Sequence, residues 1–190
     1  MTKLFIKNMV CDRCKMVVKA EISGLGLHPI RVDLGEVDVE ESDLSRQQLS
    51  DIGTTLGNLG FELIEDRKAR VAEQVKTVVI ELIHQDNDDI RIKHSEYLAQ
   101  QIGLDYPYLS KLFSDEEGIT IEQYIIQQKI EKVKELLTYG EQTLSDIAYT
   151  LGYSSVAALS TQFKKVVGMT PSVWKTADEK GRKELDKVGK

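Results

Sequence analysis

No apolar run in this sequence approaches the roughly 20 residues that a membrane-spanning helix needs, so no membrane partner is expected. The opening Met1-Thr2-Lys3-Leu4-Phe5-Ile6-Lys7 lacks the long apolar segment of a secretory signal, which points to the cytoplasm. No serine–histidine–aspartate set, phosphate-cradling loop or paired-acid constellation appears, so the chain does not read as an enzyme. An excess of positive charge is missing as well: 25 Lys and Arg stand against 31 Asp and Glu, a formal net charge of −6. Residues 71–190 alone carry 15 basic against 19 acidic side chains. Such a surface argues against strong indiscriminate attraction to nucleic acid, because neutralised phosphates supply most of that affinity. A local basic patch remains compatible with it, since distribution matters more than the sum.

What is present is a near repeat. Leu98-Ala99-Gln100-Gln101-Ile102-Gly103-Leu104 returns as Ile147-Ala148-Tyr149-Thr150-Leu151-Gly152-Tyr153. Leu109-Ser110-Lys111-Leu112-Phe113 returns as Leu159-Ser160-Thr161-Gln162-Phe163, and Gly118-Ile119-Thr120 as Gly168-Met169-Thr170. Each copy reads as helix, glycine-containing turn, helix. Ala99 and Ala148 are small where two helices must approach closely, and Gly103 and Gly152 stand where the chain reverses with a positive φ. Asp105 and Ser154 or Ser155 are placed to cap the following helices. Between the copies, Ile121, Ile125, Val133 and Leu137 mark a long helix over 121–138, ending at Tyr139-Gly140. It would hold two DNA-reading units about 34 Å apart, one duplex turn. Thr143 with Asp146 then offers a capping box.

The first 66 residues differ in character. Leu4 and Ile6, Val32 and Leu34, then Val37 and Val39 alternate with polar neighbours as short strands, and Phe61–Ile64 reads as a fourth. Helices are expected over Cys14–Ile22 and Ser45–Asn58. The order β-α-β-β-α-β predicts an α+β sandwich with both helices on one face of an antiparallel sheet. No Gly/Ser spacer follows, so Asp66–Arg70 is expected to lead straight into a helix carrying Val71, Val75, Val78, Val79 and Leu82. The fold expected is thus α+β: residues 1–66 a small ferredoxin-like βαββαβ domain, 67–176 an all-α tandem helix-turn-helix domain, 177–190 a charged, frayed tail.

Both cysteines of the chain lie in Met9-Val10-Cys11-Asp12-Arg13-Cys14, where a strand gives way to a helix. A helix N-terminus favours the thiolate, and two thiolates at this spacing suit a soft, low-coordinate ion such as Cu(I), whereas Zn(II) wants four ligands. A dithiol–disulfide redox pair is the rival reading. A thioredoxin-like domain would need more than 66 residues and another strand order. Elsewhere, Asp86-Asn87-Asp88-Asp89 reads as a solvated turn, His84 and His94 as surface or capping residues, His28 as part of a turn with Pro29, and Trp174 as a core anchor.

Two family resemblances follow from these motifs. Residues from about 75 to 175 resemble the DNA-binding domain of AraC/XylS-type transcription regulators, through Leu98-Ala99…Gly103, Tyr108-Leu109-Ser110-Lys111-Leu112-Phe113, Gly118, Ile147-Ala148…Leu151-Gly152-Tyr153, Phe163-Lys164-Lys165 and Gly168-Met169-Thr170-Pro171. The resemblance implies sequence-specific binding of double-stranded DNA. Candidate contacts are Tyr106, Pro107, Ser110, Lys111 and Ser114 in the first unit, and Ser155, Val156, Ser160, Thr161 and Lys164 in the second. The chain departs from the family in the second reading helix, where Ala158-Leu159-Ser160-Thr161 replaces a His-Phe-Ser-Arg-type stretch and so loses a bidentate guanine contact. In the first, Lys111 stands for the usual Arg, Pro107 occupies the opening turn, and Asp115-Glu116-Glu117 adds negative charge. Weak or partner-assisted DNA binding is therefore expected.

Residues 1–66 resemble heavy-metal-associated domains, the fold of copper chaperones, through Met9-x-Cys11-x-x-Cys14, the strand order, Gly35-Glu36-Val37 and Leu59-Gly60-Phe61. That resemblance makes Cys11 and Cys14 ligands of Cu(I) or another thiophilic metal and puts Met9 under the loop. Asn8 replaces the usual Gly, Val10 the usual Thr, and a charged Asp12-Arg13 pair separates the cysteines; Phe61 stands where some relatives carry Tyr. Together the two halves read as a metal-responsive transcription regulator, with a homodimer or protein partner left open. A metal carrier docking a protein partner and a redox switch are the alternatives.

Overall fold

Alternation of apolar and polar residues sets the first strand, β1 (Thr2–Lys7): Leu4 and Ile6 point inward and are buried, while Lys3 and Phe5 point to the opposite face. After it come α1 (Asp12–Gly24), β2 (Pro29–Asp33), β3 (Glu36–Val39), α2 (Arg46–Gly57) and a two-residue β4 (Glu62–Leu63). The computed structural model describes residues 1–84, 93–177 and 181–189. The sheet is antiparallel in the order β2-β3-β1-β4, with Leu4 opposite Val37 and Ile6 opposite Leu63. Val18 and Ile22 of α1 and Ile52 and Leu56 of α2 close over its inner face with Met9. Ser45 and Gln48 start α2 with a reciprocal capping box.

The outer face of the same sheet is covered by the beginning of α3 (Arg67–His84). The Arg70 guanidinium lies 4.7 Å from the centroid of the Phe5 ring, and Gln74 Nε2 donates to Glu36 Oε1 at 2.7 Å. A Cβ on Gly35 would meet Thr77 Oγ1 at 3.2 Å, so the helix approaches the β2–β3 turn closely. These contacts explain why the first compact unit runs Met1–Thr77 and the second Val78–Lys190, where the sequence pattern places the join at 66. The chain enters α3 at Arg67 without a spacer.

The second unit is helical: α4 (His94–Ile102), α5 (Tyr106–Glu117), α6 (Ile121–Tyr139), α7 (Leu144–Thr150), α8 (Val156–Val167) and α9 (Pro171–Thr176). Asp105, Thr120, Thr143, Ser155 and Thr170 each accept the N3 backbone N–H of the helix they open, and Thr143 forms its full box with Asp146. Gly103 and Gly152 take φ of +74° and +70° in the two inter-helix turns, a region where a β-carbon is strained. Leu98, Leu109, Phe113, Ile121, Ile130, Val133, Ile147, Leu159 and Phe163 are completely buried. Trp174 anchors α9, edge-on to Phe163 at 6.1 Å between ring centroids.

The charged C-terminal stretch departs from the expected frayed tail. Residues 181–189 lie against α6: Lys134 Nζ donates to the Gly181 carbonyl at 3.0 Å, Glu131 accepts the Lys183 N–H at 3.0 Å, Gln128 donates to the Leu185 carbonyl at 3.2 Å, and Val188 is buried. Composition misleads here because the anchors are backbone groups, which any side-chain sequence supplies. The acidic run Asp86-Asn87-Asp88-Asp89 lies outside the described residues.

His84 is likewise no surface residue. Its Nε2 pairs with Gln128 Oε1 at 3.0 Å, its Nδ1 is buried without a hydrogen-bond partner, and burial holds its pKa below the ordinary histidine value. The unfolded chain therefore binds this proton more readily than the native one, so stability is expected to fall as pH drops through about 6.5. His94, also depressed by burial, acts with the same sign. His28 acts oppositely, raised by Glu41, but is fully exposed and screened. Thermal melts between pH 7.5 and 5.5, above the carboxylate range, should show a falling midpoint, and His84→Gln should flatten the slope. An unchanged slope in that variant would remove His84 from the account.

Candidate nucleic-acid interface and dithiol loop

The second helix of each repeat is positioned by what it buries. Leu109, Leu112 and Phe113 fix α5, and Leu159 and Phe163 fix α8, so the intervening positions face outward. Of the candidate contacts, Pro107, Lys111, Ser155, Thr161 and Lys164 are exposed, whereas Tyr106, Ser110, Ser114, Val156 and Ser160 are half-buried. Two of the hydroxyls already have work. Tyr106 donates its O–H to Glu122, and Ser114 donates to the Ser110 carbonyl at 2.9 Å. Burial, and then this short bond to Glu122, push the Tyr106 phenol far above its usual value, so it stays protonated. Ser155 spends its Oγ capping α8 by accepting the Ala158 N–H at 3.1 Å. That leaves Lys111, Thr161 and Lys164 as side chains of the set whose polar ends are exposed. The two units differ in charge: Lys164 and Lys165 close α8, whereas Asp115 and Glu116 stand exposed near the end of α5.

In the first unit, Cys11 is the N-cap of α1 and Cys14 lies in its first turn. Their sulfurs are 3.5 Å apart; Cys11 is exposed and Cys14 half-buried, and both are free thiols. Burial opposes ionisation of Cys11, but hydrogen bonds from the Cys14 backbone and thiol outweigh it and lower its pKa. Burial and the neighbouring Cys11 push Cys14 the other way. The loop is held from below by Met9, which is 2% exposed. Asn8 adopts φ +70°, the conformation a glycine would take there. Its Nδ2 donates to the Gly60 carbonyl at 2.8 Å, and its N–H donates to Glu73 Oε1 of α3 at 3.0 Å. Glu73 is itself buried and paired with Lys76 at 2.7 Å. Sequence reasoning missed this support, because nothing local links position 73 to the loop. Two convergent sulfurs fit a soft ion of low coordination number; among the described residues no group of three or more His, Cys, Asp and Glu converges, so a four-ligand zinc site does not fit.

Residues 98–177 match the family model of a helix-turn-helix domain. An uncharacterized HTH-type transcriptional regulator of Staphylococcus aureus (strain MSSA476) is 32% identical over 78 residues, covering 41% of this chain and 10% of that protein. The Msm operon regulatory protein of Streptococcus mutans is 29% identical over 90 residues, covering 43% of this chain and 32% of its own length. The C-terminal domain of AraT, a response regulator from Geobacillus stearothermophilus, superposes with a TM-score of 0.48 at 25% identity over 58% of this chain and 87% of that one. The chain thus spans a tenth to a third of the length of these two curated relatives. Its C-terminal half is an AraC-type helix-turn-helix DNA-binding domain and not an enzyme. No described helix is long and apolar enough to cross a membrane.

Proposed function

We propose that this chain is a DNA-binding transcription regulator of the AraC/XylS type, whose N-terminal unit is a heavy-metal-associated, ferredoxin-like domain that senses Cu(I) or another thiophilic ion through Cys11 and Cys14. The observation that carries the first part is the pair of capped helix-turn-helix units, α4–α5 and α7–α8, joined by α6. Their outward residues Lys111, Thr161 and Lys164 supply base or phosphate contacts in successive major grooves of duplex DNA. The missing arginines and the acids after α5 make this a modest binder, helped by a second copy or a protein partner.

The second part is supported by the 3.5 Å separation of the two sulfurs at a helix N-terminus. A soft ion held there neutralises two thiolates and draws Cys11 and Cys14 together. The chain's own response runs through the loop: Asn8 is bonded to Glu73, and α3, which carries Glu73, begins in the first unit and ends in the second. A shift of the loop therefore reaches that helix through one hydrogen bond.

Selection of purified full-length protein against random duplex DNA, with and without Cu(I) under reducing conditions, tests both parts. A motif of two half-sites about 10 bp apart is expected, with enrichment that changes on adding Cu(I). Cys11→Ser/Cys14→Ser should bind the same motif and lose the copper dependence. No enriched sequence under any condition would favour the metal-carrier reading, and a response to oxidant without stoichiometric Cu(I) binding would favour the dithiol switch.

A further inference from the structure

Within the second unit, a cleft of about 530 Å³ opens between the two helix-turn-helix pairs, floored by α6. Its walls come from the start of α4 (Lys93, His94), the first residue of α5 (Tyr106) and the turn before α8 (Tyr153), with Lys129 and Glu122 rising from α6. Lys129 is half-buried, and no described carboxylate shifts its ammonium; burial alone acts on it and holds its pKa below the usual lysine value. Its one described partner is the Tyr153 ring, 5.7 Å from Nζ to the centroid. The Tyr153 hydroxyl is turned away, donating to Gln162 Oε1 at 2.7 Å, and burial pushes its pKa to about 12. His94 lies close enough to feel the Lys129 charge, and its Nε2 is buried with no hydrogen-bond partner. The acid of the lining, Glu122, already accepts from Tyr106.

A partly desolvated cation and an unpaired ring nitrogen facing one open volume are costly to keep without a ligand. We infer that this cleft is a seat for a phosphate-type oxyanion, with Lys129 Nζ and His94 Nε2 as its donors and either duplex DNA or a free phosphate compound as its source. The DNA source rests on the function proposed above. Tyr106 at the head of the first reading helix and Tyr153 just before the second flank the cleft, and a phosphate ridge separates successive major grooves. It would supply part of the backbone affinity that the acidic composition withholds.

The test compares wild type with Lys129→Met, which should fold at least as stably because an uncompensated buried charge is removed, and Lys129→Arg, which keeps the charge. One arm measures thermal midpoints in inorganic phosphate against chloride at equal ionic strength. The other measures the slope of log affinity against log salt on the duplex that wild type selects. A free-phosphate seat predicts a midpoint rise in wild type and the arginine variant, with apparent phosphate affinity about tenfold weaker in the methionine variant. A DNA seat predicts a slope smaller in magnitude by about 1 in Lys129→Met only. If both arms leave wild type and Lys129→Met alike, the inference is overturned; Lys129→Gln serves should the methionine variant misfold. If wild type selects no DNA, the regulator reading fails while the phosphate arm still decides the cleft.

Discussion

Glu131→Leu is expected to lower the stability of the second unit by about 3–5 kcal/mol, the range for removing one partner of a buried ion pair. The Glu131 and Lys134 side chains are only 6% and 9% exposed, and Lys134 Nζ lies 2.8 Å from Glu131 Oε1. The other oxygen, Oε2, accepts the Lys183 N–H, and Lys134 also donates to the Gly181 carbonyl. Removing the carboxylate leaves a buried ammonium and frees one of the groups that hold residues 181–189 against α6. Urea unfolding should report the lost stability, and limited proteolysis should cut the C-terminal stretch faster. The double variant Glu131→Leu/Lys134→Leu should recover part of the loss, because an apolar pair can replace an ionic one at little cost. It should not restore protease resistance, since the backbone anchors stay unpaired. A single-variant cost below about 1 kcal/mol would mean the pair behaves as an exposed one.

Phe163→Ala should be as damaging for a different reason. The ring is fully buried on α8 and meets Trp174 of α9 at an interplanar angle of 73°. Truncating it opens a cavity, typically costing 3–5 kcal/mol, part of which is the aromatic pair. Small domains carry only about 5–15 kcal/mol in total, so this unit would sit near its unfolding threshold at 37 °C. DNA affinity should then fall even though no outward residue has changed. Thr161→Ala on the exposed face should alter stability by less than about 0.5 kcal/mol, so any affinity it loses reports contact with DNA. A Phe163→Ala protein with an unchanged melt would show that α8 is held by something other than its ring.

The helices were legible because their signals are local. Asp105, Thr143 and Ser155 announce helix starts, and the repeated Ala and Gly landmarks give both turns, so the tandem helix-turn-helix could be read before any coordinates. What escaped was long-range. Glu73 reaches Asn8 across 65 residues, and the 181–189 stretch binds through backbone groups, which no composition reveals. Lys129 did leave a trace. The apolar series Ile121, Ile125, Val133 and Leu137 steps past position 129, where a lysine interrupts an inward-facing row. A charge in such a gap is a sign of an internal polar demand, and it leads directly to the cleft.

The way α3 begins on the outer face of the sheet also bears on how such a module is inherited. A gene fusion that joined a new output to Asp66 would strip Phe5, Glu36 and the Asn8 amide of their cover from Arg70, Gln74 and Glu73. A viable transplant has to carry the helix through Thr77. Recombination between sensor and output is thereby confined to a helix interior, where an exchange must preserve the 3.6-residue phase of everything downstream.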